Sequence, residues 1–137
     1  MRRQLVALCA LLVLFVLPAF GQSDPSFSAA DVFALEWAVD PQMSPDGERI
    51  VYVRTSMDKM NDRRQQRLWL VGADGSSHRK LTGLDVAESS PRWSPDGKHV
   101  TFTADTDEGT EIFVYCFETG HATKITQLDR SPSGLRW

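Results

Sequence analysis

The chain has 137 residues, room for one small domain. Apolar residues make up 42% and charged residues 24%, with four Trp and seven Phe to fill a core, a composition that excludes a disordered tail. The formal net charge of -3 gives no electrostatic case for nucleic acid or for anionic membrane surfaces.

The first element is a leader. Arg2 and Arg3 precede an unbroken apolar run from Leu5 to Leu17, and Pro18 then breaks any helix before Ala19-Phe20-Gly21. That order is the order of a secretory signal peptide over residues 1–21. The run is short for a membrane span, which needs about 20 residues, and Cys9 sits mid-run without the small residues that precede a lipidated cysteine. We therefore expect an exported protein, periplasmic or extracellular, with no stable membrane insertion after cleavage. Cleavage removes Arg2 and Arg3 and no acid, taking the formal charge to -5. Only Cys116 then remains, so an internal disulfide is excluded.

An N-terminal arm, residues 22–38, is expected to hold a short helix. Ser28 is its N-cap and Asp31 its capping-box acid, and Phe27 and Val32 are spaced for a hydrophobic staple. The helix has room to run to about Val39, where Asp40-Pro41 stops it.

From there the pattern is β. Strands are expected at Arg49–Thr55, Leu68–Val71 and Lys80–Thr82, then again at His99–Ala104, Glu111–Phe117 and Lys124–Thr126. Val100, Phe102 and Ala104 alternate with Thr101 and Thr103, the period of a strand with one face more buried. Short strands with turn signals between them argue for an antiparallel all-β unit.

The second half copies the first. Ser44-Pro45-Asp46-Gly47 recurs as Ser94-Pro95-Asp96-Gly97, and Arg79–Trp93 aligns without a gap on Thr123–Trp137, with seven of fifteen residues identical. In each turn the serine hydroxyl can bond the backbone, proline presets φ, aspartate suits the third place and glycine takes the positive φ. Trp93 and Met43, just before the turns, are expected to pack between units. The interval of about 44 residues with four strands per unit is that of a propeller blade. The fold class is thus all-β, a partial β-propeller of about two WD-like or TolB-like blades plus a stub. Blade 1 is placed at 39–83, blade 2 at 88–127 and the start of blade 3 at 128–137. Typical propellers close with 4–8 blades, so the chain is read as an N-terminal, truncated portion of a longer protein. The surplus residues of the first copy, Ser56–Gln66, are polar and charged and are read as a loop insertion.

The order of leader, short helix, Val39-Asp40-Pro41-Gln42-Met43-Ser44-Pro45-Asp46-Gly47, strand, charged loop, Leu68-Trp69-Leu70-Val71, Asp-Gly, Lys-Leu-Thr and Ser-Pro-Arg-Trp-Ser-Pro-Asp-Gly-Lys resembles the prolyl oligopeptidase family of serine peptidases. The acylaminoacyl-peptidase and dipeptidyl-peptidase branches are the most similar. The Trp-Ser-Pro-Asp-Gly unit alone is shared with TolB-like and other WD-like propellers. The resemblance implies a propeller that gates peptide access to a C-terminal α/β-hydrolase domain, where Ser, His and Asp carry out acyl transfer with an oxyanion hole. The implied partners are peptides and the missing hydrolase domain of the same chain.

None of that machinery is written in these residues. No glycine pair frames a serine as Gly-x-Ser-x-Gly, so no catalytic residue is assigned and the chain as supplied is expected to be inactive. His78, His99 and His121 are read as turn and strand-end residues. One mature cysteine and three scattered histidines lack metal-ligand spacing. Asp46 and Asp96 are read as turn formers and not calcium ligands. No cofactor or metal site is assigned. Asp58 to Arg64 is read as a solvated loop, with a substrate entrance as the sharper alternative, and Cys116 as a small buried apolar residue. The competing function is a non-enzymatic periplasmic propeller that binds protein partners, as TolB-like proteins do. Those proteins place a sizeable α/β domain before the propeller, whereas about twenty residues separate the leader from the first blade here. A free-standing WD-like binding protein is a third option.

Overall fold

A computed structural model describes residues 27–137. The leader assigned to 1–21 lies outside the described residues, as does the start of the arm. Two antiparallel four-stranded sheets follow one another along the chain. The first contains β1 (Trp37–Met43), β2 (Arg49–Asp58), β3 (Arg63–Gly72) and β4 (Arg79–Lys80) in that spatial order. The second contains β5 (Glu88–Trp93), β6 (His99–Thr106), β7 (Gly109–Cys116) and β8 (His121–Lys124), again in order. Residues 128–137 contain no strand.

The arm corrects one expectation. Helix α1 spans only Ala29–Val32. Its capping box forms as the sequence implies: Ser28 N and Ser28 Oγ both donate to Asp31 Oδ2, at 2.6 and 2.7 Å. Phe27 and Val32 nevertheless remain exposed. The chain leaves the helix well before Val39, because Trp37, Ala38 and Val39 pair with Thr55, Arg54 and Val53. The ladder with β2 supplies backbone partners that a longer, solvent-exposed helix would have to find alone, so the first sheet begins at Trp37, inside the expected arm.

Both Ser-Pro-Asp-Gly turns are built identically. Ser44 Oγ donates to Asp46 Oδ1 at 2.5 Å and accepts Arg49 N at 2.9 Å, while Glu48 N reaches Asp46 Oδ1 at 3.0 Å. Ser94, Asp96, His99 and Lys98 repeat those bonds at 2.6, 2.9 and 3.0 Å. Gly47 and Gly97 take the positive φ, 75° and 68°, that side chains with a Cβ avoid. Each turn joins the first strand of a sheet to its second. Just upstream, Asp40 and Ser90 adopt φ of 48° and 54° before Pro41 and Pro91, and the register of β1 and β5 slips there. These are edge-strand bulges, the place where proline is tolerated in a sheet.

The expected loop insertion is instead an extension of strand. β2 and β3 pair continuously from Arg49↔Gly72 to Asp58↔Arg63. The interval between copies is fifty residues through β2 and forty-four from β3 onward, and the six surplus residues lengthen this hairpin. Polar residues are compatible with strand once cross-strand partners satisfy the backbone.

The core lies between the sheets. Val51, Val53, Leu68 and Leu70 of the first meet Val100, Phe102, Ala104, Phe113 and Tyr115 of the second, all buried. Each of the buried Val, Leu and Phe side chains contributes roughly 1.5–3 kcal/mol of burial free energy.

Candidate functional site

The seam between the sheets is the built feature of the molecule. Trp93 Nε1 donates to Gln42 O at 2.9 Å. Its ring stacks on Phe117 with centroids 5.1 Å apart, and the Arg49 guanidinium lies 4.9 and 4.5 Å from the Trp93 and Phe117 rings. Arg49 Nη2 also donates to Gly97 O at 3.0 Å, tying one turn to the other. Arg92 pairs with Asp40 at 2.8 Å across the bulges. The pattern repeats once more: Trp137 Nε1 donates to Arg92 O at 3.0 Å and its ring lies 6.2 Å from His99, the counterpart of Arg49. Trp93 therefore packs between units as expected. Met43 does not; it is 61% exposed, since it lies on the face of the first sheet that turns away from the second.

Grooves open at both ends of this seam. At the turn end, Gln42, Met43, Trp93, Arg136 and Trp137 line a space of about 390 Å³. At the hairpin end, Arg63, Arg64, Arg67, Asp85, Asp105 and Asp107 line one of about 350 Å³. The longer β2–β3 hairpin forms one wall of that second groove. Of the segment Asp58 to Arg64, Arg63 and Arg64 line this groove, and the segment is a hairpin tip and not a loose loop. Asp58 braces the tip: Asn61 and Gln65 amides donate to it at 2.7 and 2.8 Å and hold its carboxyl down at about 2.

The remaining candidates are scattered. His78 Nε2 bonds the Tyr52 hydroxyl at 2.6 Å on the open face of the first sheet. His99 lies 4.0 Å from Asp96 in the second turn, and His121 pairs with Cys116 at the start of β8. Among the described residues no histidine ring bonds a serine hydroxyl, and no group of three His, Cys, Asp or Glu side chains could hold a metal ion. Asp46 and Asp96 are turn formers, held below the usual carboxylate range first by their serine partners. Cys116 is half-buried and not buried; donors from Thr119, and then Glu118, lower its thiol pKa.

Sequence reasoning missed two buried carboxylates. Glu88 is 1% and Glu111 0% exposed. Leu68 N donates to Glu88 at 2.8 Å, and Thr82 Oγ1 donates to it as well. Glu111 accepts Thr126 Oγ1 at 2.5 Å and Leu128 N at 3.0 Å. Both serve the connection that leaves the fourth strand. The repeated Lys-Leu/Ile-Thr motif marks the place, but neither acid stands at a repeated position, so periodicity alone does not expose them.

Two four-stranded sheets stacked face to face, joined by a repeated Trp–carbonyl bond, define the chain as part of a β-propeller. No family model matches it. It is 28% identical over 111 residues to the uncharacterized peptidase YuxL of Bacillus subtilis, covering 80% of this chain and 17% of that protein. It is 30% identical over 93 residues to dipeptidyl-peptidase 5 of Porphyromonas endodontalis, covering 68% and 13%. A Tol-Pal system protein TolB of Novosphingobium aromaticivorans is 36% identical over 67 residues, covering 49% and 14%. Among solved structures, the acylaminoacyl peptidase of Pyrococcus horikoshii superposes with a TM-score of 0.58 at 21% identity, over 71% of this chain and 15% of that one. The β-propeller domain of the trilobed protease from Pyrococcus furiosus superposes at 0.55 and 23% identity, over 74% and 29%. The structural likenesses establish the fold, and the relatives that match most of the chain are peptidases. The chain spans less than a fifth of the length of the curated relatives it matches. Among the described residues no helix is long and apolar enough to cross a membrane.

Proposed function

We propose that these blades belong to the propeller of an exported serine peptidase, in which the ring gates peptide access to an α/β-hydrolase domain. The observation that carries this reading is the match to YuxL, which extends over 80% of the chain, whereas the TolB match covers 49%. In this reading the blades are the units at 39–83 and 88–127, and 128–137 opens a third. Residues 1–21 direct export to the periplasm or beyond. The hairpin-end groove, with its facing Arg and Asp side chains, lies where a peptide would pass from one blade to the next, and peptides are the partners.

The test uses the longest product of the reading frame. A peptidase carries Gly-x-Ser-x-Gly after further blades, followed by Asp and then His. That serine reacts with a fluorophosphonate probe, and the enzyme hydrolyses aminoacyl or dipeptidyl chromogenic substrates. Replacing the serine of that motif by alanine abolishes both. A stop codon shortly after the last blade, or a full-length product that neither labels nor hydrolyses, overturns the reading in favour of a TolB-like binding propeller.

A further inference from the structure

The outer edge of β3 is covered over only part of its length. β4 pairs with Trp69 and Leu70 and with no earlier residue of the strand. Next along, Leu68 turns both main-chain groups outward, and both are taken. Its carbonyl accepts Leu81 N at 2.9 Å and its amide donates to Glu88 Oε2 at 2.8 Å. Residues two apart on a strand point their main-chain groups to the same side, so Gln66 and Arg64 also turn theirs outward. No strand pairs with them there. The second sheet offers less. β8 pairs with Phe113 to Cys116, Ile112 is held by Thr126 Oγ1 and Ile125 N, and only Thr110 follows on that side before β7 ends at Gly109. The longer hairpin of the first sheet supplies the additional open edge.

This edge borders the hairpin-end groove. Arg67 Nη1 reaches from Gln66 O, at 3.0 Å, to Val86 O, at 2.8 Å, so the connection runs beside the edge without pairing with it. The Gln66 carbonyl keeps a second lone pair. Arg63, Arg64 and Arg67 stand on the strand side and Asp85, Asp105 and Asp107 opposite, so the lining charges cancel. An unpaired edge is a template for another strand. A second copy laid on this edge would set its arginines against these three, and like charges across a ladder are destabilising. A volume of about 350 Å³ holds a short stretch of single chain and not the edge of a second sheet.

We propose that the open edge of β3 at Arg64 and Gln66 binds a peptide as an added strand. That the occupant is a peptide rests on the peptidase reading above. The peptide lies extended in the groove and exchanges main-chain hydrogen bonds with Arg64 and Gln66. Binding through the main chain is tolerant of sequence and demands a segment whose own amides and carbonyls are free.

Fluorescence anisotropy on the full-length protein tests the site, with the serine of Gly-x-Ser-x-Gly replaced by alanine where that motif is present. The probe is a fluorescein-labelled decapeptide of alternating Thr and Ser. The same peptide N-methylated at every residue has no main-chain donor, and its affinity falls at least about tenfold. Gln66→Pro removes an outward amide that β2 does not use, a place where proline is tolerated, and weakens the unmethylated probe about fivefold. Equal binding of the two peptides overturns the proposal, as does failure of the unmethylated probe to bind. Dimers of the protein that Gln66→Pro dissolves would assign the edge to a second copy and overturn it as well. If Gln66→Pro does not fold, the comparison of the two peptides on the parent protein decides. The two readings fail separately. A full-length product that hydrolyses the chromogenic substrates while Gln66→Pro leaves probe binding unchanged sinks the strand site alone. Probe binding that Gln66→Pro weakens, in a product with no reactive serine, sinks the peptidase alone.

Discussion

The two sheets share a chain pattern and differ on one face. On the second sheet, the side turned toward the first carries Val100, Phe102, Ala104, Phe113 and Tyr115, all buried. The same positions of the first sheet carry Ile50, Tyr52, Arg54, Trp69 and Val71. There the rings have polar partners. Tyr52 bonds His78, which stands where Ala122 stands in the second unit, and Arg54 lies 4.5 Å from the Trp69 ring while pairing with Glu36. A repeat thus conserves which positions face sideways, while the chemistry at those positions reports what each side meets in this chain. The face that meets a blade is dry and aliphatic-aromatic. The face that meets none in the described residues is aromatic with hydroxyl, imidazole and guanidinium caps, a surface compatible with water.

The largest effect expected from this contrast is in packing. Phe102→Ala removes a fully buried ring and costs about 3–5 kcal/mol. Tyr52→Ala, at the equivalent position, costs about 1 kcal/mol. Urea unfolding of the two variants, followed by tryptophan fluorescence, measures both. Equal losses would mean that the two faces are equally buried, and the contrast would fail.

A smaller effect separates the two seam tryptophans. Trp93→Phe keeps most of the ring but removes the N–H that reaches Gln42 O and weakens the stack with Arg49. Leaving a half-buried carbonyl unpaired costs about 1–2 kcal/mol. Trp137→Phe removes the equivalent bond to Arg92 O, but its ring is 54% exposed, so water replaces the donor and the loss is about 0.5 kcal/mol. Chemical denaturation of each variant ranks them, and a larger loss at Trp137 would reverse the ordering of the two seams.

The contrast also explains what the residues reveal unaided. The turns were legible because Ser-Pro-Asp-Gly encodes its geometry locally, hydroxyl, ring, carboxylate and glycine each serving one bond or one dihedral. The strands and the interval were legible because apolar and β-branched runs recur in step. The end of the arm's helix is not legible, because capping signals at Ser28 and Asp31 start a helix without saying where it stops; pairing with β2, a contact between distant residues, decides that. The strand character of Ser56–Gln66 is not legible, because polar composition reads as loop, whereas a hairpin needs only a register and a closing turn. The buried Glu88 and Glu111 were not legible, because a carboxylate in a seam is recognised by its donors. Those donors, Leu68 and Thr82 or Thr126 and Leu128, come together only in the fold. The two grooves at the seam are invisible in the sequence for the same reason: each takes residues from both sheets.

The smallest effect concerns the two hairpin tips, which close with different chemistry. In the first, the Asp58 carboxylate accepts Met60 N at 3.0 Å and Asn61 N at 3.3 Å along with the Asn61 and Gln65 side chains. In the second, a hydroxyl does the work: Thr106 Oγ1 donates to Gly109 O at 2.8 Å and accepts Glu108 N at 3.2 Å. Only in the first tip is a carboxylate the acceptor of the turn amides. Asp58 is held at about 2, first by the Asn61 side chain, below its ordinary value of 3.8. A depressed carboxylate contributes stability above the ordinary range and loses it as pH falls toward the folded value. Amide exchange at Met60 and Asn61, measured by NMR and corrected for intrinsic rates, therefore accelerates between about pH 4 and about pH 2, while exchange at Glu108 does not change. Asp58→Asn removes the acid dependence and leaves the tip less protected at neutral pH. Matching acid profiles at both tips would show that the carboxylate is not what closes the first hairpin.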